Sequence, residues 1–277
     1  MRTPENRVPT TTSENPGEQE FIKAVDSVSK HAKIVYKESF GSQFTQIVLG
    51  EWHFVPHVQR DMLRNLTSLK TDLDFKILGT EGSQRASSIS QEESIDYKKA
   101  TTDDQYMKSL LDRDINATVL FADKHSAVIT ESVEDPTLRA IAGKIDQKYY
   151  ELFSLRKEKG EDNMTPGEKY EFKFWQEKEK QIVLGDRSTF MIRNLSKLQR
   201  EHNASAAVLV CGFSHLPLRP EYGLFSILPT QRREKVNTII AMPNTSWELY
   251  GATKNKLDPF DFFTPVDELE VNPYKKT

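Results

Sequence analysis

Cysteine is nearly missing from this chain. Cys211 is the one thiol in 277 residues, which excludes an intramolecular disulfide framework and any Cys-rich zinc module. No apolar run reaches the roughly 18 residues that a membrane helix needs, and the N-terminus shows no apolar h-region of a signal peptide. No membrane anchor is therefore expected, and a soluble, cytoplasmic protein is. A dominant charge is lacking too: 38 Lys and Arg face 41 Asp and Glu, for a net charge of −3. That balance leaves no general basic footprint for nucleic acid or an anionic membrane surface. Apolar residues make up only 37% and mean hydropathy is −0.61, polar for a globular protein. A chain of this length still buries a sizeable core, because the buried fraction rises with size.

The first 18 residues (MRTPENRVPTTTSENPGE) hold almost nothing to bury, so they are expected to form a disordered arm. Residues 19–277 are expected to form a single domain. Phe21, Ile22, Val25 and Val28 fall at helical spacing over 19–31. Two β-prone runs, Lys33–Glu38 and Phe44–Leu49, flank a short Gly-containing loop and predict a hairpin. Strands then alternate with helices. A helix is predicted over His53–Lys70, a strand over Phe75–Gly79, a helix over Asp103–Arg113 and a strand over Ala117–Ala122. Further on, Pro136–Lys157 and Glu168–His202 predict two helices around a turn, the second bent near Gly185, and forming a helical insertion over about 136–180. The aromatic residues around this insertion suit packing of the two helices, or a lid with an apolar underside. Ala206–Cys211 predicts a strand, as do Gly223–Leu228 and Val236–Met242, and a Pro- and Asp-rich tail follows from Asn255. This alternation predicts a three-layer α/β fold with a mixed, largely parallel sheet flanked by helices.

In such sheets ligands sit at the carboxyl ends of the strands, so those ends are where chemistry is expected. Ile47–Leu49 runs into Gly50-Glu51-Trp52-His53, and Ile77–Gly79 into Thr80-Glu81-Gly82. Val119–Phe121 runs into Ala122-Asp123, and Val208–Cys211 into Gly212-Phe213-Ser214-His215. Each predicted strand delivers an imidazole or a carboxylate just past its end. The Gly-x-x-His element occurs twice, against about 0.26 occurrences expected by chance from 12 Gly and 6 His. Gly50 and Gly212 let the backbone turn tightly or approach a ligand. A histidine pair supported by carboxylates can bind a divalent metal, or act as general base with an orienting partner. With neither Met nor Cys among the candidate ligands, the metal would be Zn, Mn or Co.

Arg187, in the run Gly185–Met191, suits either a surface ion pair or a cation that holds a substrate anion or a site carboxylate. Arg85, four residues after Glu81, offers the same choice. His57 lies four residues after His53, but Phe54-Val55-Pro56 between them supply no general base. Trp52 and Phe54 read as packing residues, and Cys211, inside the most apolar run, as a buried inert thiol.

Together Gly50-Glu51-Trp52-His53, Glu81, Asp123, Asp186-Arg187…Met191 and Gly212-Phe213-Ser214-His215 resemble the superfamily of Tiki proteases, TraB/PrgY and GumN proteins, erythromycin esterases and ChaN haem-binding proteins. The resemblance spans roughly residues 33–218. It implies a three-layer α/β fold with both histidines and the glutamate at one site. By likeness to the Tiki branch, His53, Glu81 and His215 would be metal ligands in peptide hydrolysis. By likeness to the esterase branch, the histidines would serve lactone hydrolysis without an established need for metal. The ChaN branch implies haem, although this chain has no lipid-accepting N-terminal Cys and no signal peptide. It also lacks the hydrophobic tail helix common in TraB relatives.

Two functions follow as expectations. In the first the chain is a hydrolase of a peptide or small-molecule ester, with His53, His215, Glu81, Glu51 and Arg187 catalytic. Asp123, Gly50 and Gly212 would then line the cofactor side, and Glu51, Glu81 and Asp123 stay open as the base. In the second it is a non-catalytic protein that binds haem or another small ligand in the same cleft.

Overall fold

A computed structural model of the chain describes residues 16–82, 95–212, 215 and 227–253. The elements run α1 (Pro16–Ser29), β1 (Ala32–Glu38), β2 (Thr45–Glu51), α2 (Pro56–Leu73), β3 (Ile77–Thr80), α3 (Tyr97–Ala100), α4 (Asp104–Leu111), α5 (Ala117–Lys124) and β4 (Ile129–Ser132). They continue with α6 (Pro136–Lys159), α7 (Pro166–Lys178), a π-helical segment (Glu179–Asp186), α8 (Arg187–Glu201), β5 (Ala206–Gly212), α9 (Ile227–Glu234), β6 (Asn237–Pro243) and α10 (Asn244–Thr253). The six strands form one sheet in the order β1-β6-β2-β5-β3-β4. Only the β1–β6 pair is antiparallel.

The strands alternate between two cores, which is what makes three layers. Ile47, Leu49, Val208, Val210, Ile239 and Ala241 face the core shared with α1, α2, α4 and α5. Val48, Ala207, Leu209, Cys211, Ile240 and Met242 face the core shared with α8 and α10. A central parallel strand covered on both faces reads as a nearly continuous apolar run, and β2 is buried throughout, with Ile47–Leu49 at its centre and its buried Gln46 and Glu51 hydrogen-bonded. On α2, Met62, Leu63, Leu66 and Leu69 form one buried stripe, each contributing about 1.5–3 kcal/mol. The expected α/β sandwich is thus the architecture. Among the described residues, no helix is long and apolar enough to cross a membrane.

Several expectations need correction. β1 and β2 are not a hairpin: β6 lies between them. Neighbouring strands are about 4.8 Å apart, so the six residues 39–44 easily reach across one. The Asn237 side chain fastens that loop, accepting from Phe40 N at 2.7 Å and donating to Ser42 O at 2.8 Å. Ala117–Ala122 is helix and not strand. Asn116 caps it by accepting from the N–H groups of Thr118 and Val119, both at 3.1 Å, and a short apolar run fits a buried helix as well as a strand. The missing strand is β4. Helix α1 takes in Pro16–Glu18, while the rest of the predicted arm lies outside the described residues. So does most of the predicted 223–228 strand, but Ile227 and Leu228 open α9, with Pro229 tolerated in its first turn. The tail from Asn255 also lies outside the described residues.

The predicted helical insertion is present as α6 and α7. Asp135 caps α6, and Thr165 with Glu168 forms a capping box on α7. Tyr149 packs on Phe153 and Phe172, with ring centroids 6.0 and 5.6 Å away, so these aromatics join the two helices to each other. The expected bend near Gly185 is the π-helical segment, which leads straight into α8.

Candidate active site

Sheet register brings the strand ends together. Glu51 at the end of β2 lies opposite Gly212 at the end of β5. Thr80 at the end of β3 pairs with Val210, and the Glu81 N–H donates to the Val210 carbonyl at 3.1 Å. Beyond β4 the chain delivers Glu134 to the same rim. There Gly82, at φ 87°, makes a turn that favours glycine and donates its N–H to Glu134 Oε2 at 2.8 Å.

Glu81 is the hub. Its Oε1 accepts from Arg187 Nη2 at 2.9 Å and from His215 Nε2 at 3.2 Å. Its Oε2 accepts from the Gly212 N–H at 2.6 Å and faces His53 Nε2 at 3.5 Å. On its other side His53 Nδ1 lies 3.1 Å from Glu51 Oε1. Glu51 is fixed in turn by Gln59, whose amide donates to Oε2 at 2.8 Å and whose carbonyl accepts from the Ala117 N–H at 3.0 Å. Arg187 also grips Glu134, with Nε–Oε1 at 2.7 Å. Of the two histidines bound to Glu81, His53 is the one reachable from solvent: its side chain is 37% exposed and that of His215 is 2%.

The charges hold one another in place. Burial would raise the pKa of Glu81, but the charge and hydrogen bond of His215, and then those of His53, hold it well below the usual carboxylate range. Burial would lower that of His53. Hydrogen bonds to Glu51 and Glu81, and their charges, outweigh this and raise it to about 10. Arg187 is likewise raised, since Glu81 and Glu134 outweigh its desolvation. Cys211 is an inert thiol, pushed well up by burial and then by the nearby charges of Glu81 and Glu51.

A second carboxyl pair stands behind Arg187. Asp146 on α6 and Glu179 in the π-helical segment hydrogen-bond to each other. Burial, followed by the Asp146 charge, pushes Glu179 up to about 9, so the folded chain holds a proton there that the unfolded chain has lost. Stability therefore falls as pH rises from about 4.5 to about 9. Glu179→Gln keeps a hydrogen bond to Asp146 without the titration. It is expected to raise Tm at pH 8 by about 2–4 °C or more, the equivalent of 1 kcal/mol or more, and to flatten that fall. A thermal melt series that leaves the alkaline slope unchanged would show that Glu179 is not the proton holder.

The structure brings His53, His215, Glu81, Glu51 and Arg187 into one network, with Gly212 contributing its N–H. Gly50 stays inside β2, paired with Cys211. Asp123 is a correction: it lies on α5 and hydrogen-bonds the Tyr97 hydroxyl, and the acid at the end of the fourth strand is Glu134. The helix predicted from His53 begins at Pro56 instead, which leaves His53 in the preceding loop and His57 on α2. The ring of His57 has Asp104, Arg60 and Asp61 as its charged neighbours, none of them in the Glu81 network. Trp52 packs in the core as expected, whereas Phe54 is 81% exposed beside His53. Arg85 lies outside the described residues. Unforeseen members are Glu134, Gln59 and Ser188, together with the Asp146–Glu179 pair. The β-branched run Val128-Ile129-Thr130 ahead of Glu134 is the available signal for that strand end.

For a metal, the donors fit in kind but not in arrangement. Each oxygen of Glu81 already has two partners, one of them the Arg187 guanidinium, and both imidazoles meet the carboxylate directly. Among the described residues, no group of three or more His, Cys, Asp or Glu side chains is arranged to hold a metal ion. Haem fits no better. Both nitrogens of His53 face carboxylates, and Tyr149, Phe153 and Phe172 turn onto one another. No protein-family model matches this chain, and no curated protein or solved structure is similar enough to match it.

Proposed function

We propose that the rim is the active site of a hydrolase acting on a neutral ester or peptide bond, in line with the resemblance to the Tiki, TraB and erythromycin-esterase superfamily. The observation that carries this reading is His53: a partly exposed imidazole, charged at neutral pH, held between the buried carboxylate Glu51 and the hub Glu81. A group that keeps its proton to about pH 10 serves as an acid. The His53 contact is the longest of those that hold Glu81, at 3.5 Å, so substrate can displace it. Nε2 then donates to the substrate oxygen as charge develops and hands its proton to the leaving group. Water adds to the carbonyl carbon, and its proton passes to the freed Glu81, from which it returns to His53.

A neutral substrate suits the local charge, since Glu51, Glu81 and Glu134 are already paired with His53, His215, Arg187 and Arg139. The exposed Phe54 ring offers an apolar contact next to the acid. The test is turnover of a panel of aryl esters, lactones and peptides. Full turnover by His53→Ala would sink the reading. The expected result is loss of at least about 100-fold, with wild-type turnover unchanged by prolonged chelation. Loss on chelation that Zn, Mn or Co restores would assign the site to a metal instead. Metal is the second reading, favoured by the anchoring of both Nδ1 atoms, His53 by Glu51 and His215 by Ser188, as in metal-binding imidazoles.

A further inference from the structure

His215 is held from behind by a residue whose sequence context announces nothing. Ser188 lies in the first turn of α8, wholly buried, with Oγ 2.7 Å from His215 Nδ1. Its own proton is committed, because Oγ donates to the Leu184 carbonyl in the π-helical segment. A hydroxyl that spends its single hydrogen in this way can meet Nδ1 only as an acceptor. Nδ1 must therefore carry hydrogen, and Nε2 is the atom presented to Glu81 at 3.2 Å.

We propose that Ser188 is a positioning residue for the reaction, accepting from Nδ1–H of His215 and fixing the plane of its ring so that Nε2–H stays on Glu81. The catalytic part of this inference rests on the hydrolase reading above; the part that concerns the Nδ1 proton does not. Ser188 is not a nucleophile: it has no accessible surface, and its proton points to a carbonyl that cannot remove it. The two imidazoles are thus set by chemically different anchors. Glu51, held by Gln59, grips His53 with a negative charge, whereas the Ser188 hydroxyl orients His215 without adding one. Adjacent residues of α8 share the work on Glu81 Oε1, Arg187 directly and Ser188 through His215.

The test is ¹⁵N NMR of the full chain with labelled histidine, comparing wild type with Ser188→Ala and Ser188→Thr. His215→Gln identifies the resonance. In wild type the His215 Nδ1 is expected to show a protonated shift and a one-bond N–H coupling. In Ser188→Ala the coupling disappears from Nδ1, and kcat falls about 10–100-fold with KM little changed. Ser188→Thr, which retains the hydroxyl, restores both. Ser188→Cys, closer in volume but a weak acceptor, gives the same comparison if the alanine variant does not fold. An Nδ1 that keeps its proton in Ser188→Ala, or kcat unchanged there, overturns the proposal. A wild-type chain that turns over nothing sinks the hydrolase reading, while the NMR arm still decides whether Ser188 holds the Nδ1 proton.

Discussion

Arg187→Met is expected to destabilise the fold by about 3–5 kcal/mol, the cost of leaving a buried charge without its partner. Two carboxylates are at stake. Glu81 and Glu134 are almost wholly buried and both take the guanidinium, Glu81 at 2.9 Å and Glu134 at 2.7 Å. Methionine matches the length of the stem but not the charge, so packing is largely kept and the electrostatic loss is what is read. A charge-based cost makes a second prediction: with Glu134→Gln in the background, the same change costs less, because one of the two stranded carboxylates is gone. Urea unfolding of the four proteins at pH 7 gives the coupling directly. A single-variant loss under about 1 kcal/mol would mean that the imidazoles alone neutralise Glu81 and that Arg187 behaves as a surface charge.

The position of Arg187 also shows how far a sequence leads. Its neighbours Asp186 and Met191 mark an amphipathic helix, but whether the guanidinium points to solvent or to the rim depends on the width of the preceding turn. That turn is π-helical: the Arg187 N–H bonds to the Ile182 carbonyl five residues back, a local choice that apolar spacing does not encode. Strand ends are more legible. Ile47–Leu49 and Val208–Val210 are short apolar runs closed by glycine, and both proved to be central parallel strands carrying the site. The same rule misplaced the fourth strand, because ATVLFA satisfies it as a buried helix while the real strand, Ile129–Ser132, is partly exposed at the sheet edge. The acid therefore moved from Asp123 to Glu134. Pairing was the least visible feature, since nothing local to residues 33–49 shows that a strand from 200 residues onward will lie between them.

Glu81→Gln is expected to have the largest effect on activity, and its pH profile separates acid from base. Glu81 receives Arg187, His215 and the Gly212 N–H and faces His53, so neutralising it releases the whole rim. A loss of about 10²–10⁴ in kcat/KM is expected. For His53 the folded pKa is raised, from 6.5 to about 10, so its stabilising contribution is complete below about 6.5 and is lost as pH rises through 10. The Glu81 pKa is depressed, so its contribution is present above about 4.5 and is lost as pH falls through its lower folded value. Across neutral pH the Glu81 contribution is thus complete and His53 keeps its acid form, while the stability that His53 and Glu179 contribute declines. Wild-type kcat/KM should hold through pH 8 and fall near 10, and in Glu81→Gln the break should move down, because only Glu51 then supports the proton. An activity that instead rises through pH 6–7 and levels off would mean that His53 works unprotonated. The roles would then reverse, with His53 taking the proton from water.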